Sequence, residues 1–299
     1  NPLPDGAPLT VPRFDGNPER LQVDANGQLG ATGFDVTAGD VVTGIVGPLD
    51  YSFRTYLILP DPSAPPVVFH NTIPKGVKNP GPIQFTVGAA NLERFFDTAD
   101  DPGTGEPVLT PTAFANRLNK VSLFIRNILK TPDILGVEEV ENLTTLQAIA
   151  ARVNADAVAN GDPDPQYQAF LEEGNDIGGI DLGALVKTSR VSVVDATQVG
   201  KDSVYINPNN NQPELLNDRP SLVVRATVPN GSEAFPVTVI VNHLRSLSGV
   251  EDPVDGNRVR TKRQKQAEEL ANLIQDRQTA NPDEAIISVG DYNAFQFND

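Results

Sequence analysis

A carboxylate and a carboxamide stand one residue apart near the end of the chain, directly after an apolar run. Residues 286–289 have the length of a buried strand, Gly290 ends that run, and Asp291 and Asn293 follow. A glycine at the end of a strand permits an irregular backbone or a close approach by another group. Together, Asp and Asn offer an acceptor and a donor to one water or phosphate oxygen. The same residue types are ordinary in turns, so a strand followed by a plain turn stays open as the alternative.

Three further apolar runs end in polar residues suited to the same chemistry, namely Asn91, Glu139 and His243. Amide and carboxylate oxygens are the hard ligands that magnesium and calcium prefer, and magnesium needs only one or two protein carboxylates. A histidine beside a phosphate donates a hydrogen bond or a proton to a developing oxyanion, while Asp291 orients and helps to deprotonate an attacking water. These groups predict metal-assisted hydrolysis of a phosphoester.

Each of these residues also has a structural interpretation. Glu139 and its acidic neighbours are typical of a charged strand end, and a histidine such as His243 is often a core residue with its hydrogen bonds satisfied. His70, in the first part of the chain, is predicted to be structural. The basic run at residues 258–265 is typical either of a solvated helix start or of a segment that guides a polyanion to the site.

The elements that must position these groups change character along the chain. Residues 21–74 contain short apolar runs separated by Gly and Pro, which is typical of strands in a small barrel or sandwich. Residues 75–82 indicate a linker. From residue 83 onward, apolar strands alternate with amphipathic helices, and the last helix is predicted to bury one face at Ala267, Leu270, Ala271 and Ile274.

Three polar segments interrupt this alternating pattern. The acidic segment 97–107 is predicted to be a solvated loop, because the spacing of its aspartates does not match an EF-hand calcium loop. The stretch 154–175 shows no apolar periodicity, and residues 207–212 are predicted to form a polar loop of turn-forming residues.

Length and composition restrict the class of protein. A chain of 299 residues with 39% hydrophobic and 21% charged residues can bury one large core and a small companion domain. The absence of cysteine excludes disulfides and zinc–thiolate sites. A net charge of -16 argues against sequence-independent coating of DNA, but not against an enzyme that meets nucleic acid through bound cations. The chain opens on Asn1 and contains no methionine, which indicates a mature or excised piece.

Four motifs occur in a fixed order: Asn91 after a strand, ILGVEEVEN at 134–142, VNHLRS at 241–246 and SVGDYNA at 288–294. With these motifs the chain resembles the endonuclease/exonuclease/phosphatase superfamily, which has the DNase I-like fold. The segment 39–60 is similar to the small β domain that precedes the catalytic domain in large secreted bacterial nucleases of that group.

The resemblance implies an α/β (α+β) fold. Residues 83–299 would form a DNase I-like four-layer sandwich of two mixed β-sheets with outer helices, preceded by a small β-rich, OB-like domain and lead-in at residues 1–76. It also implies a secreted enzyme that hydrolyses phosphodiester bonds of DNA or RNA by in-line attack of an activated water. The implied cofactor is Mg²⁺, with Mn²⁺ and Ca²⁺ as further candidates, and no membrane-spanning helix is expected.

The resemblance also implies roles for the residues singled out above. Asn91 and Glu139 would hold the metal, His243 would contact or protonate the scissile phosphate, Asp291 would orient the water, and Asn293 would bind the phosphate.

Three arginines near the last two motifs, Arg245, Arg260 and Arg263, are further candidates for contacts with the substrate phosphate.

Two features depart from the family pattern. Glu138 stands where the family usually has Gln, and a final Asp–His pair is expected beyond Asp299, so the catalytic domain is predicted to be incomplete at its C-terminus. A phosphoesterase acting on phospholipid or small phosphoesters, or a non-catalytic module that binds polyanions, remains as the alternative.

Overall fold

The structure is a computed structural model that describes residues 21–294, apart from residues 26–27, 38, 53–54, 71–74, 82, 102, 104 and 231–232. The chain forms two compact units, Asn1–Lys75 and Gly76–Asp299. Most of the lead-in therefore lies outside the described residues, and so do parts of the linker and of the acidic segment. The domain boundaries given above stay predictions.

The first unit consists of short strands in two small sheets. Strands β1 and β4 pair in parallel and β3 and β4 antiparallel, giving the order β1-β4-β3, while β2 pairs with β5. Leu57 and Pro60 are buried in the described part of this unit. The strands are β1 (Gln22–Val23), β2 (Val41–Thr43), β3 (Leu49–Ser52), β4 (Thr55–Ile58) and β5 (Val67–Phe69).

The second unit begins with a mixed sheet of order β6-β7-β9-β8. Strands β6 and β7 are parallel, and the other two pairs are antiparallel. The elements in chain order are β6 (Val87–Phe95), α1 (Pro111–Leu123), β7 (Ile134–Val140), α2 (Leu143–Ala159), β8 (Tyr167–Leu171) and β9 (Asp181–Lys187). Helix α1 begins at the Thr110 cap and continues into a π-helical turn, Phe124–Ile128.

A second mixed sheet of order β10-β13-β14-β15 completes this unit, together with a separate hairpin of β11 and β12. Strands β14 and β15 are parallel, and a long helix connects them. The elements are β10 (Ser192–Val199), β11 (Val204–Asn207), β12 (Gln212–Leu215), β13 (Ser221–Asn230), β14 (Glu233–His243), α3 (Gly256–Ala280) and β15 (Ile286–Asp291).

Two apolar clusters hold these layers together. Alternate residues of a strand point to opposite faces, so Val239 and Val241 of β14 meet Leu182 and Ala184 of β9 in a core between the two sheets. On the other face of the first sheet, a second core lies beneath helices α1 and α2. Arg277 of α3 contacts Thr238 on the face of β14 that points away from the intersheet core. Two mixed sheets with helices outside them confirm the predicted fold class.

Several predictions about single elements were wrong. Asn91 lies within β6, which extends beyond the apolar run. The polar stretch 154–175 contains the end of α2 and the whole of β8. The predicted loop at 207–212 is instead confirmed, because residues 208–211 form the turn of the β11–β12 hairpin. In α3, Ala267 and Ala271 are exposed. Among the described residues, no helix is long and apolar enough to cross a lipid bilayer.

Candidate active site

The carboxyl ends of two parallel strand pairs, one pair in each sheet, meet at the candidate site. Strands β6 and β7 end there in the first sheet, and β14 and β15 in the second. The ends of the two pairs are joined directly, because the side-chain amide of Asn91 donates to Asp291 Oδ2 across the sheets at 3.0 Å. The packing of the two sheets therefore determines the geometry of the site.

Asn91 links two carboxylates through one amide group. Its Nδ2 donates to Glu139 Oε1 at 2.9 Å and to Asp291 Oδ2 at 3.0 Å, while its Oδ1 accepts from the backbone N–H of Glu93 at 2.8 Å. Two negative groups thus converge on one small volume. Carboxylates this close to each other favour a group of positive charge between them.

A bulge in β7 presents Glu139 to the site. In both strand pairings of β7 the register passes from Glu138 to Val140 and leaves Glu139 unpaired. Its φ of 60° lies in the left-handed region, which costs a non-glycine residue about 1–2 kcal/mol. Such a bulge re-aims a side chain, and Glu139 Oε2 accepts from the backbone N–H of Arg94 at 3.0 Å.

His243 ends β14 and is only 4% exposed. Its Nε2 lies 3.8 Å from Glu139 Oε1 and 3.9 Å from Asp291 Oδ2, beyond hydrogen-bond distance. Burial and the nearby guanidinium of Arg219 lower the pKa of His243 to about 4, and the two carboxylates only partly oppose that shift. The imidazole is therefore neutral at pH 7, so it can donate a hydrogen bond from one ring nitrogen.

Asp291 and Asn293 form a tight turn after β15. Asn293 has a φ of 48°, and its backbone N–H donates to Asp291 Oδ1 at 2.8 Å. The side-chain Nδ2 of Asn293 donates to the carbonyl oxygen of Leu244 at 3.0 Å. One hydrogen of that amide is thus used to hold the loop that follows His243.

Glu138 lies on the buried side of the site and is 1% exposed. Burial, followed by the charge of Asp291, raises the pKa of Glu138 to about 8. Its Oε1 has no hydrogen-bond partner among the described groups. At neutral pH the side chain is therefore mostly protonated, which makes it closer to the Gln of the family pattern than its formal charge indicates.

The three candidate arginines differ in what their side chains contact. Arg263 donates to the carbonyl oxygens of Arg245 and Asn293, and Arg260 donates to the carbonyl oxygen of Val250. Burial lowers the pKa of Arg263, although Asp291 opposes this. Arg245 contacts Gln266 through its backbone N–H, and its buried Nε has no partner in the described part of the chain. Arg263 thus braces two loops of the site.

The rest of the basic run in α3 is also engaged within the protein. Lys262 is 4% exposed and its Nζ lies 2.8 Å from Asp218 Oδ1. Arg258 pairs with Asp255, and Lys265 pairs with Glu268 on the exposed face of the helix. The run is neither a freely solvated helix start nor an array of free cations.

Glu139 and Asp291 present hard carboxylate oxygens to the site, and Asn91, whose Nδ2 faces them in this structure, would add its oxygen only if the amide turned. Such oxygens fit a divalent ion such as Mg²⁺. In the described part of the chain, no group of three or more His, Asp or Glu side chains is arranged to hold a metal. Magnesium does not require one, since water and phosphate fill most of its coordination positions. Glu139 and Asn91 are the residues that would hold the ion.

Two residues of the site were not identified from the sequence. Arg219, 9% exposed, pairs with Asp176 and donates to the carbonyl oxygen of Leu244. Asn242, directly before His243, is completely buried. Asn242 could have been recognised in the sequence as a polar residue within an apolar strand. Arg219 lies in a loop, and no sequence pattern distinguishes it.

The two-sheet α/β sandwich with carboxylate oxygens at its strand ends is an arrangement typical of enzymes. A comparison of the sequence with protein families identifies which family it is. The Endonuclease/Exonuclease/phosphatase family model matches residues 86–299. The chain therefore belongs to this family of phosphoester hydrolases. In the search of curated proteins, none matched this chain.

Solved structures similar to this chain come from animals and bacteria. Humanized D. rerio TDP2 is 18% identical over 71% of this chain and 67% of its own, with a TM-score of 0.42. The mannosyl-6-phosphatase Bt3783 of Bacteroides thetaiotaomicron is 13% identical over 72% and 67%, with a TM-score of 0.44. The human Nocturnin catalytic domain is 16% identical over 64% and 60%, with a TM-score of 0.40. For C. elegans TDP2, the match covers 45% of that chain.

Proposed function

We propose that this chain carries the catalytic site of a secreted, metal-dependent nuclease that hydrolyses phosphodiester bonds of DNA or RNA. The observation that carries the proposal is the convergence of Asn91, Glu139, His243 and Asp291 at the ends of four strands in two sheets. Each of these groups has a role in phosphoester hydrolysis. The secreted location and the nucleic acid substrate rest on the resemblance described above.

The side chains divide the reaction between them. Asp291 accepts a proton from the attacking water, whose oxygen forms the new P–O bond in line with the P–O bond that breaks, and the leaving oxygen takes a proton from solvent water. Neutral His243 donates a hydrogen bond to a phosphate oxygen, where negative charge develops. Asn293 contributes a neutral donor to the phosphate from its remaining amide hydrogen. Glu139 and Asn91 would hold a divalent ion, which would neutralise charge on the phosphate.

The test is plasmid nicking by the protein, with Mg²⁺, Mn²⁺, Ca²⁺ or EDTA. The Glu139→Gln variant keeps the side-chain volume but removes the charge, so we expect nicking to fall by at least about 100-fold. The matched control is Glu138→Gln, the adjacent residue with the same chemical change, which should keep activity because Glu138 is already protonated near neutral pH. Equal nicking by the wild type and Glu139→Gln would contradict the proposal.

A second candidate, a phosphoesterase acting on phospholipid or small phosphoesters, is favoured by one observation. The charged side chains of the basic run in α3 contact other groups of the protein, and the chain has a net charge of -16. Few free cations remain in the described part of the chain to hold a long polyanion. Release of phosphate from small phosphoesters or headgroup from phospholipid, without nicking of plasmid or RNA, would support this candidate. Tight DNA binding without turnover would instead support a non-catalytic module.

A further inference from the structure

We propose that Asn242 is a positioning residue that fixes the register of β14 against β15 and thereby places His243 opposite Asp291. The inference rests on the proposed function for its consequence in catalysis. Its structural part can be tested separately, because it concerns the location of the imidazole.

The buried amide of Asn242 makes four hydrogen bonds to three strands. Its Nδ2 shares two hydrogens among three acceptors, the carbonyl oxygen of Ile240 at 3.0 Å, Ser288 Oγ at 3.0 Å and the carbonyl oxygen of Val289 at 3.3 Å. Its Oδ1 accepts from Ser221 Oγ at 2.8 Å. The side chain therefore ties β14 to β13 on one side and to β15 on the other.

This network continues to the turn that carries the site. Ser288 Oγ lies 2.5 Å from Tyr292 Oη, between Asp291 and Asn293 in sequence. A buried polar network with its partners in place strongly favours one arrangement, because any displacement leaves polar atoms without hydrogen bonds in an apolar interior.

The strand backbones are also unusually close at this position. Asn242 is the register partner of Gly290, and a Cβ atom added to Gly290 would lie 2.0 Å from the carbonyl oxygen of Asn242. In the next register position His243 faces Asp291. A slip of one residue would turn every side chain of β15 to the opposite face, so the Asn242–Gly290 pair keeps the carboxylate of Asp291 beside the imidazole.

Asn242 itself cannot take part in the chemistry. It is 0% exposed, and all its described hydrogen bonds go to protein groups. Its effect on catalysis must therefore pass through His243 and Asp291.

The decisive experiment uses the fact that the chain has only two histidines, His70 and His243. We would record imidazole ¹H–¹⁵N correlation spectra of the metal-free protein at one fixed pH for the wild type and Asn242→Leu, which keeps the volume but removes all four hydrogen bonds. We expect the His243 signals to move and the His70 signals to stay. Plasmid nicking should fall by about 100-fold in kcat with little change in KM.

The matched control is Thr238→Val, at the far end of the same strand pair. Thr238 Oγ1 donates a hydrogen bond to Glu284 Oε1, in the segment just before β15. Loss of this hydroxyl therefore destabilises the sheet without changing the site. His243 signals that move equally in Thr238→Val would overturn the proposal, and so would unchanged signals in a folded Asn242→Leu protein.

A second variant covers the case in which Asn242→Leu does not fold. Ser288→Ala removes the Ser288 contacts with Asn242 Nδ2 and Tyr292 Oη but leaves the other bonds of Asn242 in place. We expect a smaller displacement of the His243 signals in the same direction; no displacement would overturn the proposal. If the wild type nicks no plasmid while the spectra change as expected, the proposed function fails and the positioning role stands.

Discussion

Four residues around the site hold a backbone conformation that side-chain-bearing residues seldom adopt. Glu93, Arg94, Glu139 and Asn293 have φ angles of 52°, 57°, 60° and 48°. Each costs about 1–3 kcal/mol, and such residues concentrate where a protein must hold groups in a required geometry. Here Arg94 and Glu139 are joined by a hydrogen bond, so the strained segments of β6 and β7 support each other.

Gly290 combines a positive φ angle with a neighbouring backbone atom at the place where a Cβ would lie. With a φ of 130° and no room for a Cβ beside the carbonyl of Asn242, we expect Gly290→Ala to lower the free energy of unfolding by about 3 kcal/mol. Urea denaturation of the variant and the wild type measures this loss of stability. Gly249→Ala is the control, since Gly249 also has a positive φ, of 79°, but a Cβ there would lie 3.6 Å from Val259. That variant should lose only about 1 kcal/mol; equal losses would show that the close approach is unimportant.

The buried carboxyl of Asp181 gives the protein a distinct dependence on pH. Burial, and next the neighbouring carboxyl of Glu173, raise the pKa of Asp181 to about 8 from 3.8. The folded protein therefore keeps a proton that the unfolded chain has released, so the contribution of Asp181 to the free energy of unfolding decreases as pH rises from about 4 to about 8.

Asp181→Asn should accordingly stabilise the protein at about pH 8 and leave it nearly unchanged at about pH 4, as measured by urea denaturation at both values. Asp195→Asn is the control, because a hydrogen bond from Arg225 lowers the pKa of Asp195. A gain at pH 8 in the control, or none in Asp181→Asn, would contradict the assignment.

For single residues, the sequence predicted which side chains come together at the candidate site but not the groups that hold them in position. Asn91, Glu139, His243 and Asp291 follow from apolar runs that end in polar side chains, and the structure brings them together. The contacts of Arg263 with two backbone carbonyls could not be predicted. Such bonds join residues far apart in sequence and depend on how loops cross, which no local pattern records.

Helix α3 shows how a local pattern misplaces a buried face. The apolar spacing predicted Ala267 and Ala271 as buried, but the buried positions include Val259, Lys262 and Gln266. Small apolar side chains gain little from burial, whereas a long lysine stem and a paired ammonium can be buried when a partner is present. That partner, Asp218, lies 44 residues earlier, beyond any helical periodicity.

We therefore expect two lysines of α3 to respond differently to the same substitution. Lys262→Met leaves Asp218 without its ammonium partner in a largely buried setting and should lower the free energy of unfolding by about 3 kcal/mol. Lys265→Met breaks only an exposed pair with Glu268 and should cost about 0–1 kcal/mol. Chemical denaturation of both variants gives the comparison, and equal losses would mean that burial of Lys262 contributes nothing.

Local sequence patterns also failed to predict one of the strands. Strand β8 was overlooked because Tyr167–Leu171 contains Gln168 among its five residues and follows a long polar segment. Its place at the edge of the first sheet comes from pairing with β9, and only Tyr167 and Leu171 are fully buried. Tertiary pairing decided this element against its local composition.

For the molecule as a whole, both large apolar clusters consist entirely of residues from the second unit. We expect a fragment of residues 76–299 to fold without the first unit, because it contains every side chain of both cores. Thermal unfolding of the fragment should show a cooperative transition, as in the 299-residue chain, and its near-UV circular dichroism should show ordered aromatic side chains. A fragment that lacks a cooperative transition would show that the second unit depends on the first.

The double hydrogen bond from Asn91 defines what would have to move before an ion could bind between the two carboxylates. The amide satisfies one oxygen of Glu139 and one of Asp291, so the two negative groups tolerate each other before any cation is present. For the Asn91 oxygen to reach an ion between these carboxylates, the amide would have to turn and give up its hydrogen bond from the Glu93 N–H.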